Sequence, residues 1–303
     1  MTLLVVERFE GTGIRLLSDS RLSYPSKYVD AGVKVLACPV RVWNVDERGV
    51  QAPLIYDATI GIGIAGSALR AHSAVEAVRN VLLSLQRIES YTDWSLHAIC
   101  RPIARVVGEV AEEFGLQEKD LPPDQPEAAF VVIGLCPSTQ KPRAYVIELF
   151  WRELKWHADI RELLLGSGRE FFGSGAAAAR AVDPSKAPNA FAILRAVIDS
   201  NRGQNKTGVG GWIQCGECIG AWVNDRPLGW FDVKAVRHVL GNDGEPRHTD
   251  RWSGIEWYGE SSTPGWSDLQ PRVLVSNPFH EEYVALIEKA AGGGGSEPGG
   301  NER

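Results

Sequence analysis

The sequence predicts an α+β fold, because strand-like pairs alternate along the chain with stretches of helical periodicity. Two apolar runs, at residues 2–9 and 14–21, are separated by a short Gly-containing segment and indicate a β-hairpin. Apolar residues then recur at helical spacing over residues 67–88 and again after Asp93. A second strand pair follows at residues 128–136 and 143–150. This order indicates helices packed on sheets.

The other elements are predicted from the same patterns. A third strand runs through residues 33–43, and a buried strand with a break at Asp57 covers residues 54–65. Further strands and a helix are expected at Trp151–Ile160 and Phe191–Ser200, and a last strand and helix at 272–277 and 280–291. We divide the chain into a domain at residues 1–225, a Trp-rich C-terminal extension at 226–291 and a Gly-rich disordered tail at 292–303.

Composition excludes several classes of protein. A net charge of −6 argues against non-specific binding of nucleic acid, which needs a basic surface. No apolar run approaches the length of a transmembrane helix, so no membrane association is expected. Five cysteines in a chain without an export signal indicate reduced thiols. We therefore expect a cytoplasmic protein.

A hydroxyl residue, an acid and a lysine occupy the ends of the first three predicted strands. Thr2 opens the first strand, Asp19 lies at the end of the second and Lys34 at the start of the third. Gly66 lies in a small-residue turn between a strand and a helix. In this order and spacing, the four residues have the arrangement that an N-terminal-nucleophile (Ntn) hydrolase needs.

The chemistry explains why these residue types belong together. A threonine hydroxyl is a poor nucleophile until a base removes its proton, and the terminal amine of the chain can be that base once Met1 is removed. Initiator methionine is generally trimmed when a small residue such as Thr2 follows. A nearby Lys34 ammonium would disfavour protonation of the amine, and Asp19 would hold the lysine in place. The backbone N–H of Gly66, at the start of a helix, would face the developing oxyanion.

These segments resemble the proteasome β-subunit family and its bacterial ring-protease relatives. The resemblance is carried by Thr2, Ser18-Asp19-Ser20-Arg21, Lys34 and Ile64-Ala65-Gly66-Ser67-Ala68, and it covers roughly residues 2–225. It implies a four-layer αββα Ntn-hydrolase sandwich and a threonine peptidase without cofactor or metal. It also implies assembly into a homo-oligomeric ring that acts on a peptide or an unfolded protein, and it leaves open an ATPase or other protein partner.

The resemblance assigns two further residues. Ser167, in Gly166-Ser167-Gly168, matches the family's serine near the terminal amine, and it is preferred because a strand precedes it directly. Ser174, in Gly173-Ser174-Gly175, is the alternative. Thr207 matches the family's second serine, but Gln204 stands where the family has an aspartate. Glutamine can hydrogen-bond but carries no negative charge, and Asp199 could replace the aspartate only if the preceding helix ends elsewhere.

Cys215 and Cys218 form a Cys-x-x-Cys motif, which is half of a zinc site or a redox pair. The other three cysteines are scattered, and strand-like segments flank the pair. The sequence therefore favours a structural role in a hairpin turn over metal or redox chemistry.

Two other functions remain alternatives. Gln204 and the long extension favour a catalytically inactive proteasome-like scaffold, whereas the intact set of Thr2, Asp19 and Lys34 disfavours it. Hydrolysis of a small-molecule amide in the same fold is the second alternative. The extension, with four tryptophans, is either a packed cap or a surface that binds a partner or ligand.

Overall fold

The computed structural model describes residues 2–9, 13–23, 28–29, 32–45, 51–66, 68–88, 92–113, 125–165, 168–201, 208–211, 213–223, 226–240, 246–252 and 255–256. The strands are β1 (Leu4–Phe9), β2 (Gly13–Asp19), β3 (Leu22–Ser23), β4 (Tyr28–Val29), β5 (Val35–Val45), β6 (Gln51–Gly66), β7 (Leu85–Ile88), β8 (Ala128–Leu135), β9 (Pro142–Arg152), β10 (Lys155–Glu162), β11 (Arg169–Phe172), β12 (Ile213–Val223), β13 (Arg226–Leu240), β14 (Pro246–Trp252) and β15 (Ile255–Glu256). The helices are α1 (Ala68–Leu82), α2 (Leu96–Glu113), α3 (Ala176–Arg180) and α4 (Ala190–Ser200).

The described strands form two large sheets and a small ribbon. One sheet has seven strands in the order β11-β1-β2-β12-β13-β14-β15, and the other has six in the order β10-β9-β8-β6-β5-β7. Neighbouring strands are antiparallel except β5 and β7, which run parallel. β3 and β4 form the ribbon. The predicted first hairpin and the predicted pair at 128–150 are confirmed as β1–β2 and β8–β9.

Three buried clusters show how the layers stack. In one, α1 and α2 pack on the outer face of the six-stranded sheet. In the second, the inner face of that sheet packs against β1 and β2 of the seven-stranded sheet. In the third, α3 and α4 contribute alanines and aliphatic side chains that pack on the outer face of β1 and β2. The combination of helices and sheets confirms the α+β prediction.

β1 is buried on both faces, which explains its continuous apolar sequence. Leu4 and Val6 lie in the cluster between the sheets, whereas Leu3 and Val5 lie in the cluster under α4. A strand covered on both sides needs apolar residues at every position instead of alternate ones. The element that begins at Thr2 is therefore held in the interior of the protein.

Glu7 is the buried charged residue of this strand and is only 4% exposed, whereas the next residue, Arg8, is exposed. Its carboxylate accepts hydrogen bonds from Arg169 Nε of β11 at 3.1 Å and from the N–H of Ala190, at the start of α4, at 2.9 Å. Arg15 of β2 lies 3.5 Å away. A buried carboxylate needs such partners, and here they join β1 to three neighbouring elements.

Two predicted boundaries are wrong. The helical spacing predicted over 67–88 ends at Leu82, and residues 85–88 form β7 at the edge of the six-stranded sheet. Exposure alternates from Leu85 to Arg87 with the two-residue period of a strand. The break expected at Asp57 is absent, because β6 is continuous there and Asp57 lies opposite Arg41 of β5.

The hairpin turn expected at Cys215 and Cys218 is also wrong, because both residues lie within β12. They are three positions apart, so their side chains point to opposite faces of the strand. Cys215 belongs to the cluster under α4 and Cys218 to the cluster between the sheets. None of the five cysteines is in a disulfide, and in the described part of the chain no group of three His, Cys, Asp or Glu side chains is arranged to hold a metal.

The seven-stranded sheet continues across residue 225 through β13, β14 and β15. Trp230 and Trp252 lie on β13 and β14. The strand and helix predicted after residue 271, and the tail at 292–303, lie outside the described residues, so the division into domains stays a prediction. None of the described helices is both long enough and apolar enough to cross a membrane.

Candidate functional site

Thr2 lies two residues before the start of β1, and the turn after β11 holds its backbone on both sides. The Thr2 N–H donates to Ser174 Oγ at 3.1 Å, and the Gly175 N–H donates to the Thr2 carbonyl at 3.0 Å. Gly173 has a φ of +86°, and a Cβ atom there would collide with the Thr2 carbonyl oxygen. The turn can therefore close on Thr2 only with glycine at position 173.

The register of β1 with β11 explains why this turn reaches Thr2. The two strands are antiparallel, with Leu4 opposite Phe172 and Glu7 opposite Arg169. Residues that follow β11 therefore lie beside the start of β1, and residues that precede β11 lie beside its end. The Arg8 N–H accordingly donates to the carbonyl of Gly168 at 3.0 Å.

This register bears on the choice between Ser167 and Ser174. Ser167 lies outside the described residues, but its neighbour Gly168 contacts Arg8. Arg8 is six residues beyond Thr2, or roughly 20 Å at the rise of an extended strand. Among the described residues, Ser174 is the serine that contacts Thr2, and the role expected of Ser167 stays a prediction.

Asp19 is the last residue of β2 and is fully buried. Its Oδ1 accepts hydrogen bonds from Lys34 Nζ at 3.0 Å and from the Leu3 N–H at 2.9 Å. Its Oδ2 accepts from the backbone N–H of Gly210 at 3.1 Å and of Arg21 at 3.3 Å. Four donors, one of them a cation, satisfy the buried carboxylate. Asp19 thus joins Lys34 to the backbone next to Thr2.

Lys34 directly precedes β5 and is 3% exposed. Because its ammonium and the Leu3 N–H share one oxygen of Asp19, the ammonium lies within two hydrogen-bond lengths of the start of β1. The carbonyl of Lys34 accepts from the Ile64 N–H at 2.8 Å. Hydrogen bonds therefore hold both the ammonium group and the backbone of Lys34 in place.

Gln214 fixes the backbone around Lys34, and the sequence analysis did not identify it. Its Oε1 accepts from the N–H groups of Lys34 at 2.8 Å and Val35 at 3.0 Å, and its Nε2 donates to the Gly32 carbonyl. Gln214 is 2% exposed on β12, where it lies opposite Ser18. An amide beside apolar residues at the start of a strand was the available signal, since a buried amide needs backbone or side-chain partners.

A cleft of about 670 Å³ opens beside Thr2. Gly66 lines it together with Ser174, Arg180 and residues 125–129, at the start of β8. Gly66 ends β6 with a φ of +115°, and a Cβ atom there would collide with the carbonyl of Glu127. α1 begins at Ala68, and the first turn of a helix favours negative charge nearby.

The other residues that the sequence analysis considered for the site are either outside the described residues or on helices α1 and α4. Thr207 and Gln204 lie outside the described residues, although Gly210, shortly after them, donates to Asp19. Asp199 is exposed on α4 and pairs with Arg195 of the same helix at 2.6 Å. His72 of α1, which the sequence analysis left out, is half-buried. Burial lowers its pKa and the Lys34 charge acts in the same direction, against Glu76.

Known proteins resemble this chain in structure at low sequence identity. No family model and no curated protein matches the sequence. Among solved structures the chain is similar to Anbu (ancestral beta-subunit) from Yersinia bercovieri, with 15% identity, a TM-score of 0.44 and coverage of 71% of this chain and 81% of that chain. It is similar to the helical assembly of the Anbu complex from Pseudomonas aeruginosa, with 11% identity, a TM-score of 0.46 and 98% coverage of both chains.

A third similar structure is Thiobacillus denitrificans BPH in complex with epoxomicin, with 15% identity, a TM-score of 0.41 and coverage of 72% of this chain and 97% of that chain. At these identities and TM-scores the likeness carries no argument about this chain. Function is therefore inferred from the geometry around Thr2.

Proposed function

We propose that this chain is a proteasome-like, threonine-type Ntn hydrolase that cleaves peptide bonds. The observation that carries the proposal is the buried ion pair of Asp19 and Lys34. The same oxygen of Asp19 accepts from the Lys34 ammonium and from the backbone N–H of Leu3, the residue after Thr2. Burying an ion pair has a large desolvation cost, so such a pair is weak evidence of a purely stabilising role. A buried charge pair that contacts the backbone next to a cleft-lining residue such as Thr2 is typical of a reaction site.

In the proposed reaction, the terminal amine left by removal of Met1 takes the proton of the Thr2 hydroxyl as Oγ attacks the carbonyl carbon of the substrate. The Lys34 ammonium disfavours protonation of that amine. The amine then passes the proton to the departing nitrogen, which leaves an ester on Thr2. Water attacks this ester with the amine again as base, and the hydroxyl of Thr2 is restored.

Ser174, Gly66 and Thr207 complete the proposed site. Ser174 Oγ orients the nitrogen of Thr2 and takes the role expected of Ser167, supported by the 3.1 Å contact. The N–H of Gly66 stabilises the oxyanion, supported by its place in the same cleft as Thr2. Thr207 assists, as the sequence predicts.

The order of helix pair, six-stranded sheet, seven-stranded sheet and helix pair supports a four-layer αββα Ntn-hydrolase sandwich. With that fold, we propose a homo-oligomeric ring in the cytoplasm that acts on peptides or unfolded protein. The reaction uses no cofactor, because the hydroxyl and the amine of Thr2 supply nucleophile and base. The Trp-rich extension, whose first part forms strands β13 to β15 of the seven-stranded sheet, is then a cap or a partner surface.

The test is the intact mass of the purified protein with and without a threonine-reactive epoxyketone or β-lactone. The expected result is loss of Met1 and one adduct mapped to Thr2, because a free N-terminal threonine with its own amine as base reacts with such electrophiles. Thr2→Ser should keep the labelling and Thr2→Ala should abolish it. Both variants keep a small residue at position 2, so both leave Met1 equally removable.

A retained Met1, or a free Thr2 that no probe labels, would favour the inactive scaffold. An adduct on Thr2 together with failure to cleave any peptide would favour a small-molecule amidohydrolase. Labelling of Thr2→Ala to the same extent as the unmodified chain would overturn the assignment of the nucleophile.

A further inference from the structure

A second cavity of about 460 Å³ adjoins the cleft that contains Thr2. Four residues line both spaces: Glu148, Phe171, Phe172 and Arg180. Arg180 ends α3, the helix that follows the Ser174 turn. Because Arg180 lines both spaces, it lies at their junction. It belongs to the segment of turn and helix α3 that also holds Thr2 through Ser174.

The other two arginines around the second cavity are neutralised by carboxylates. Arg161 lies 2.9 Å from Glu170 and 3.9 Å from Glu148. Arg169 lies 3.0 Å from the buried Glu7. Their positive charges are therefore largely cancelled within the protein.

Arg180 differs from both. Its side chain is exposed, and its guanidinium donates to the carbonyl of Phe171 at 3.1 Å. Among the residues that the structure describes, no carboxylate lies within ion-pair distance of it. A guanidinium has five N–H donors in a fork that fits a carboxylate in a bidentate manner. One bond to a carbonyl leaves most of these donors available to a ligand, and Arg180 lines both spaces.

The carboxylates near the junction do not compete with this charge. Glu127 also lines the cleft, but both of its carboxylate oxygens are buried. Glu148 is half-buried and lies 3.9 Å from Arg161, whose positive charge offsets that of the Glu148 carboxylate. Arg180 is thus the cation among the four described residues that line both spaces, and its side chain is exposed.

We propose that Arg180 binds a carboxylate of the substrate and gives the cleft a preference for acidic peptides. This inference rests on the proposed function, because it assigns a substrate class to the same cleft. The carboxylate comes either from an Asp or Glu side chain or from the C-terminus of the peptide. Arg180 touches the substrate away from the reacting atoms, so it determines specificity and does not take part in the chemistry.

Binding to the full-length Thr2→Ala variant tests this preference without any need for turnover. Fluorescently labelled peptides of one length would differ only by Glu against Gln at each position in turn, or by a C-terminal acid against an amide, with binding followed by fluorescence anisotropy. We expect about tenfold tighter binding of the acidic member at one position, as a charge-assisted hydrogen bond implies. The position at which the preference occurs distinguishes a side-chain carboxylate from a terminal one.

Arg180→Gln, added to Thr2→Ala, should remove the preference, and Arg180→Lys should keep part of it. The matched control is Arg105→Gln, which removes the same charge from an arginine that is 81% exposed on α2 and not in the cleft lining. It should leave the preference intact. Equal binding of acidic and amide peptides, or a preference that persists in Arg180→Gln, would overturn the inference.

The outcomes separate this inference from the proposed function. Labelling of Thr2 by the epoxyketone without a preference for acidic peptides would keep the hydrolase and reject the role of Arg180. A preference that depends on Arg180 in a chain whose Thr2 is never labelled would keep the acidic-peptide site and reject the hydrolase.

Discussion

Gln214 acts at the scale of a single residue, because one amide fixes the loop that carries Lys34. Gln214→Leu would remove hydrogen bonds to Gly32, Lys34 and Val35 while keeping a similar volume. Three buried backbone groups would lose their partner, at a cost of about 1–3 kcal/mol each. We expect the free energy of unfolding, measured with urea, to fall by about 3 kcal/mol or more.

The same variant tests a positioning role for Gln214. If Gln214 places Lys34, the rate of Thr2 labelling should fall and its pH dependence should shift, because the ammonium would no longer lie in a fixed position. Gln86→Leu on the exposed side of β7 is the matched control and should change neither quantity. Stability lost without any change in the labelling profile would limit Gln214 to a structural role.

At the scale of elements, the turn after β11 and strand β1 form a single unit around Thr2. Gly173→Ala would place a Cβ atom against the Thr2 carbonyl and force a side chain into a φ of +86°. We expect destabilisation of about 1–3 kcal/mol, together with loss of labelling at Thr2, because the turn can no longer hold its backbone.

The other Gly-Ser-Gly segment supplies the control for this prediction. A Cβ atom at Gly168 would meet nothing within 4 Å, so Gly168→Ala should leave stability and labelling nearly unchanged. Mass spectrometry after reaction with the β-lactone would compare the two variants directly. Equal effects of the two substitutions would contradict the assignment of the turn at 173–175 to Thr2.

At the scale of the whole molecule, the cysteines report on the integrity of the stacked layers. Burial raises the pKa of Cys38 and Cys218 to about 12 and also raises that of Cys100. Few thiolates therefore exist at these positions at neutral pH. We expect these three thiols to react with a thiol reagent only when the whole fold opens.

Cys136 should behave differently. Burial acts to raise its pKa, but hydrogen bonds with Ser138, Leu96 and Thr139 outweigh burial and lower the pKa. A larger fraction of this thiol is ionised at a given pH, so it should be the first of these four to react in the native protein. Mapping the modified cysteines over time would check the order, and Cys136→Ser should remove the early phase.

Local patterns predicted the parts of the candidate site that depend on nearby residues. Each of the first three strands is predicted by its own apolar run, and Thr2, Asp19 and Lys34 lie at or next to the ends of these strands. The structure brings these three residues together. Gly66 was readable because a small-residue turn separated a strand pattern from a helical one. Each of these signals lies within a few residues of the element that it marks.

The parts that depend on pairing between distant strands were not predictable. Choosing Ser174 over Ser167 requires the register of β1 with β11, and recognising Gln214 requires the pairing of β12 with β2. The Cys-x-x-Cys motif was misplaced for a related reason, since a strand as long as β12 continues through both cysteines. A single sequence does not encode such registers in any one local window.

The distances along the chain between the partners of the site have a consequence for biosynthesis. Ser174 is 172 residues from Thr2, and Gly210 is 191 residues from Asp19. A chain emerging from the ribosome carries Thr2 long before it carries the residues that hold its surroundings. Under the proposed function, the partly synthesised chain is therefore harmless to its neighbours, because hydrolytic competence arrives only when most of the polypeptide has been made and folded.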